Sequence, residues 1–182
     1  SNNTPGTVYT ISSNTGDPPI TFNHPPPSSI WYTFTETSCQ ASPTNSFEIY
    51  IAADNQCDSS YATVGPIRIC TAPITDFSIS PDTVECVNSV ISFTNSSING
   101  IHVSSTKCDS TSKPRWQINP SIGWTPHMGS FLGLTNPTNN PSTWGDPTID
   151  ILFTSPGEFF ISLILENHCG YDTMTKKVCI VP

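Results

Sequence analysis

The sequence predicts an all-β chain of packed antiparallel sheets, a β-sandwich architecture, and three observations carry that prediction. Apolar and polar residues alternate in short runs: TVYTI from Thr7, IWYTFT from Ile30, ISFTN from Ile91 and IDILF from Ile149. Alternation of this kind marks a sheet with one buried face and one wet face. Pro, at 18 of 182 residues, joins Gly, Asn and Thr in interrupting nearly every window where a helix could run. Finally, one phrase is written twice. FEIYIAADNQC, Phe47 to Cys57, returns as FFISLILENHC, Phe159 to Cys169, and a further strand-like run bearing a second Cys (Cys70, Cys179) follows each.

Taken in order, strands are expected at Thr7–Ser12, Ile20–Asn23, Ile30–Thr37, Phe47–Ala53 and Val64–Cys70. A second set is expected at Asp76–Ser80, Val90–Asn95, Arg115–Ile118, Thr148–Thr154, Glu158–Glu166 and Thr173–Val181. Short strands parted by Pro, Asn and Gly turns argue for a sandwich. The repeat aligns further: VYTIS from Val8 with RWQIN from Arg115, and the Ser29 run SIWYTFTETSC with TIDILFTSPG from Thr148. Residues 1–72 therefore match only the later part of the second module, 73–182, whose strands at Asp76–Ser80 and Val90–Asn95 have no earlier counterpart. The boundary is expected at CTAP, Cys70 to Pro73.

Net charge is −8 with only 6 Lys and Arg, so no basic stripe exists to neutralise nucleic-acid phosphates or to bind an anionic membrane surface. The longest apolar run, Phe159 to Leu165, is too short to cross a bilayer. SNNTPGTVYT has neither the charged nor the apolar part of a signal peptide, so the chain is expected to be a processed secreted protein or an excerpt of a longer one. The seven Cys include no C-x-x-C pair, which favours disulfides in an oxidising compartment over a zinc site.

The run CVNSVISFTNSS from Cys86, the Trp116 strand and IDILFTSPGEFFISLILENHCGYDTMTKKV together resemble a PKD-like domain, an Ig-like β-sandwich. HPPPSSIWYTFTETSC from His24 with the NQC ending is similar to the PKD-like repeats of Bacteroidota cell-surface gliding-motility adhesins of the SprB type. The W-x-F-G-D-G turn common in PKD domains is replaced by QINPSIG after Trp116 and TISSNTGD after Tyr9, the mark of a divergent subgroup. The resemblance implies tandem Ig-like modules, the first running from strand C to strand G and lacking its N-terminal strands. It also implies a disulfide map from the Ig-like strand poles: Cys108 with Cys169, Cys86 with Cys179, Cys39 with Cys70, and Cys57 unpaired for want of a B–C loop partner. A module that starts at strand C leaves an open sheet, so a preceding segment or another chain is expected to complete it.

No constellation for catalysis is visible. The four His (His24, His102, His127, His168) accompany no G-x-S-x-G, and alternation puts His168 and Cys169 on opposite faces. No cofactor is expected. Calcium is the one metal weighed, with Asp54 and Asp58 at one turn and Asp146 and Asp150 at another, but no D-x-D-x-D-G loop exists and solvated turn residues explain them. The long connection Gly123 to Asp146 carries Trp124 and Trp144. They form either an aromatic platform for sugar rings or a lid packed on the sandwich. Asp-Ser/Thr motifs offer O-glycosylation at Thr83, Ser110 and Thr173, and Asn2 and Asn95 head N-glycosylation sequons.

The expected role is structural and adhesive: stiff disulfide-stapled repeats of a secreted cell-surface filament, with neighbouring repeats, surface polysaccharide or another adhesion target as partners. The competing expectation is a polysaccharide-binding accessory module of a secreted hydrolase.

Overall fold

The computed structural model describes residues 5–182, so Asn2 lies outside the described residues. The chain divides into two units, Ser1–Cys70 with Val103–Asp109, and Thr71–His102 with Ser110–Pro182. Segment 103–109, expected within the second module, is counted with the first.

The first unit is one antiparallel sheet in the order β2-β1-β3-β4, made of β1 (Val8–Ser13), β2 (Ile20–Asn23), β3 (Phe47–Asp54) and β4 (Ser59–Ile67). Its register sets Ile11 opposite Ile20 and Ile51, and Ile49 and Ile51 opposite Val64 and Ala62. Directly opposed residues of an antiparallel pair point to one side, so these six apolar residues share a face. Tyr50 and Tyr61 stand on the other.

The second unit is a sandwich. Its elements are β5 (Phe77–Ser80), β6 (Val84–Cys86), β7 (Val90–Asn95), β10 (Lys113–Asn119), β11 (Trp124–His127), β12 (Thr148–Phe153), β13 (Gly157–Asn167) and β14 (Gly170–Val181). One sheet runs β11-β12-β7-β5 and the other β10-β13-β14-β6. Only the β6–β14 pair is parallel within these two sheets. Between the sheets lies a core of Phe77, Ile91, Phe93, Trp116, Ile151, Phe153, Ile161, Leu163 and Val178, among others, each at most 2% exposed. Such burial stabilises by roughly 1.5–3 kcal/mol per large apolar side chain relative to exposure. Two short strands, β8 (His102–Val103) and β9 (Cys108–Asp109), pair with each other.

The repeated ending, acidic–Asn–x–Cys, closes a hairpin in both units. Asn55 Oδ1 accepts the backbone N–H of Cys57 (2.8 Å) and of Asp58 (3.0 Å) where β3 turns into β4. Asn167 Oδ1 accepts those of Cys169 (2.8 Å) and Gly170 (3.1 Å) where β13 turns into β14. An Asn side chain that mimics a backbone acceptor tightens the turn, and this is why the residue recurs at the same place. The tight turn also starts the following strand sooner than expected: β4 begins at Ser59, not Val64.

Residues 30–37, expected as a strand, are irregular. Their aligned counterpart β12 is paired on one side by β7 and on the other by β11. Among the described residues, no backbone hydrogen bond reaches residues 30–37. A strand needs a ladder partner, and the described residues of the first unit supply none.

Candidate interaction surface

The first unit carries an apolar sheet face that is only partly covered. Along β13, Phe159, Ile161, Leu163 and Leu165 are 2%, 0%, 0% and 1% exposed. The repeat positions on β3 are Phe47, Ile49, Ile51 and Ala53. Phe47 is buried, while the other three are only half-buried. Val64 of β4 is 49% exposed and Ile20 of β2 is 41% exposed on the same face. Identical positions of one repeat thus differ because the covering sheet of the second unit has no full counterpart over the first.

What cover exists comes from residues 30–37. Phe34 stacks on Phe47 with ring centroids 4.7 Å apart and 3° between planes. Tyr32 packs beside Phe34 at 5.1 Å and its hydroxyl meets Ser13 Oγ. Burial alternates along Trp31 to Thr35, outward at Trp31, Thr33 and Thr35 and half-buried at Tyr32 and Phe34. The segment is therefore a strand in side-chain pattern without a strand's hydrogen bonds. A polar groove of about 450 Å³ runs beside it, lined by Asp17, Thr33, Phe34, Glu36, Gln40 and Phe47 among others. On the opposite face a smaller hollow of about 220 Å³ lies between Tyr50 and Tyr61. The Tyr50 hydroxyl donates to Glu48 (2.9 Å), and that hydrogen bond to a carboxylate pushes the phenol above its ordinary pKa.

The cysteines depart from the map implied by the resemblance. Cys39 is bonded to Cys108, with Cα atoms 5.7 Å apart. The pairings Cys39–Cys70 and Cys108–Cys169 are therefore replaced. The physical reason is segment 103–109: Cys108 belongs to the first unit, where Asn45 Nδ2 donates to Ser104 O (3.1 Å). Cys70 and Cys169 are also in disulfide form. Cys57, Cys86 and Cys179 are free thiols. The β6–β14 register explains the missing Cys86–Cys179 bridge. Cys179 faces Val84 while Cys86 faces Val181, an offset of two residues. At roughly 3.3 Å per residue along the strand and roughly 4.8 Å across, the Cα atoms are held at roughly 8 Å, beyond the reach of a disulfide.

The aromatic residues of the long connection are pinned. Trp124 Nε1 donates to Pro120 O (2.7 Å) and Trp144 Nε1 to Thr138 O (2.7 Å), and both rings are half-buried. Leu132 packs on the core, and its carbonyl accepts Trp116 N–H at 2.7 Å. Gly145 passes so close that a Cβ there would stand 2.6 Å from Leu132 O. The connection is a lid on the sandwich. The most exposed Trp is instead Trp31, at 92%, hidden from sequence reasoning by its place in an alternating strand pattern.

Three of the four carboxylates weighed for calcium, those of Asp58, Asp146 and Asp150, accept hydrogen bonds within the fold. Asp146 Oδ2 accepts Phe131 N–H (2.7 Å), and Asp150 Oδ1 accepts the Ser92 hydroxyl. Asp54 is half-buried and Asp58 exposed, and the Asp58 carbonyl and carboxylate bond backbone N–H groups of their own turn. Among the described residues, no group of three or more ligating side chains gathers to hold a metal. Thr83, Ser110 and Thr173 are exposed. Asn95 is half-buried, with its Oδ1 accepting Ser97 N–H. His102 and His168 rings lie 4.4 Å apart in the second unit.

No family model matches the chain, and no curated protein sequence does. Several solved structures share its strand arrangement in part. Extracellular domains 3–5 of Drosophila OTK align at 13% identity and a TM-score of 0.41, over 74% of this chain and 40% of that one. The I67–I69 fragment of the titin I-band aligns at 7% identity and 0.37, over 97% and 56%. The amphioxus IgVJ-C2 molecule aligns at 10% and 0.35, over 95% and 88%. The chain thus spans less than two thirds of the OTK and titin structures. At these identities the likeness concerns fold alone. The sheet orders of the second unit carry the conclusion by themselves: this is an all-β chain of Ig-like sandwich architecture.

Proposed function

We propose that the chain is a structural and adhesive piece of a secreted cell-surface filament, built of PKD-like repeats of the gliding-adhesin kind and carrying no enzyme activity. One observation supports this above the rest: one strand-and-hairpin unit is written twice in the chain, with four of its seven Cys in disulfide form. Repetition builds length, and disulfides fit an oxidising exterior. An acidic surface with few Lys and Arg keeps neighbouring filaments apart. The exposed Thr83, Ser110 and Thr173 would carry O-linked glycans. The test is to stain intact source cells with antibody against the chain, then delete its gene and measure attachment under flow. Staining only after permeabilisation, or unchanged attachment, refutes the reading.

A second reading, a polysaccharide-binding accessory module, draws support from Trp31 at 92% exposure, since an exposed indole offers a stacking face to a sugar ring. Pull-down on insoluble polysaccharides should then be lost in Trp31→Ala and kept in Trp144→Phe.

A further inference from the structure

Among the described residues the first unit holds two strand edges without a partner, and the second unit shows what meets them. In the second unit β6 adds parallel to the free edge of β14, with Cys179 opposite Val84. The chain then turns and β7 adds antiparallel to β12, with Ile151 opposite Ile91 and Ile149 opposite Phe93. Together β6 and β7 occupy only residues 84–95. In the first unit, the counterpart of β14 is β4, which pairs on one side with β3 and, among the described residues, on the other side with nothing. The counterpart of β12 is segment 30–37, whose backbone has no ladder partner among the described residues. The apolar face beneath is held half-open at Ile49, Ile51 and Val64.

We propose that the first unit binds a donor segment of the β6–β7 kind: a short run added parallel to β4, a tight turn, then an alternating strand added antiparallel to residues 33–37. The occupant is an extended peptide whose alternate residues are apolar, as in Val90-Ile91-Ser92-Phe93-Thr94-Asn95. Its chemistry is set by the site. Main-chain groups of residues 33–37 and 60–66 give affinity, and inward apolar side chains cover Ile49, Ile51 and Val64, which is recognition by strand addition. The inference goes beyond the adhesive reading and does not depend on it, since a peptide binds or fails to bind whatever the chain's wider role.

The experiment uses the 182-residue chain with its disulfides intact and, as probe, a synthetic peptide of residues 82–97 carrying Cys86→Ser. Hydrogen exchange by mass spectrometry reads where it binds. The expected result is saturable one-to-one binding, with exchange slowed about tenfold or more at residues 33–37 and 60–66 as transient opening is suppressed. Val64→Asp, at a half-exposed position of the open face, should weaken binding, and Tyr61→Ser on the opposite face should not. A peptide of the same composition with its alternation scrambled should not bind. No saturable binding of the wild-type chain, equal binding of the scrambled peptide, or protection confined to other residues overturns the proposal. A concentration-dependent dimer of the chain alone, with the same residues protected, also overturns it, because the occupant would then be a second copy.

Discussion

Ile49 and Ile161 hold the same place in the repeat, and replacing each with Ala should cost the two units very different amounts. Ile161 is fully buried between two sheets, while Ile49 is half-buried on a face only partly covered. Removing three carbons forfeits about 2.4 kcal/mol of transfer free energy when burial is complete, at about 0.8 kcal/mol per methylene. A closed core adds a cavity cost, which brings Ile161→Ala to about 3–4 kcal/mol. At Ile49 about half of the transfer is already forgone and solvent reaches the gap, so Ile49→Ala should cost about 1 kcal/mol. Native-state hydrogen exchange at low denaturant separates the units, reading β13 amides for one variant and β3 amides for the other. A loss at β3 equal to or greater than that at β13 would show that the face of the first unit is closed, and the comparison of repeats would fail.

Other outcomes follow from the same geometry. Cys39→Ser with Cys108→Ser opens a loop of sequence separation 69. Chain entropy puts the loss at up to about 4 kcal/mol, read as faster exchange of β3. Maleimide labelling of the native chain should modify Cys57 and Cys86 quickly, half-buried Cys179 slowly, and Cys39, Cys70, Cys108 and Cys169 only after reduction. Trp116→Phe strands the Asp146 carbonyl that accepts the indole N–H at 2.9 Å, and should lower the denaturant midpoint of the second unit by about 2 kcal/mol in stability terms. Asp172 accepts the backbone N–H of Thr75 and Thr173, which holds its carboxyl below the ordinary 3.8. A depressed folded pKa gives stability that is fully present above the unfolded value and is lost as pH falls through the folded one. Acid titration of the wild type should therefore show a loss below about pH 4 that Asp172→Asn flattens.

Much of the fold was legible because alternation is written directly in the chain. Ile20–Asn23 and Val90–Asn95 coincide with β2 and β7, and Thr148–Thr154 with β12 to within one residue. The repeat of Phe47 to Cys57 at Phe159 to Cys169 is also written there, and β3 and β13 fall on its two copies. What the sequence concealed depends on partners distant in the chain. IWYTFT has a strand's pattern, but a pattern cannot supply the neighbour its backbone requires. Short β6 and β11 carry little signal of their own, with Pro126 inside β11, and exist because β14 and β12 offer them edges. Cys39 and Cys108 were given other partners because their pairing depends on where segment 103–109 travels, and no local residue encodes that, whereas Cys57 is free as expected. Trp124 and Trp144 were open to two readings, platform or lid, because nothing local in the sequence shows that Pro120 O and Thr138 O accept their indole N–H groups.

The single parallel pair within the second unit's two sheets has a mechanical consequence. β6 stands near the start of that unit and β14 near its end, side by side and pointing the same way. Tension applied to the two ends drags parallel neighbours in opposite directions, so the load falls along the strands and across the bonds that join them. Cys179 N–H to Thr83 O (2.8 Å) and Val87 N–H to Val181 O (2.9 Å) bracket that junction. They must give way together, not peel one after another, which makes the second unit stiff to pulling in proportion to a contact only three residues long. Among the described residues the outer edge of β4 has no such clasp, so a donor strand laid parallel along it would add one of the same kind.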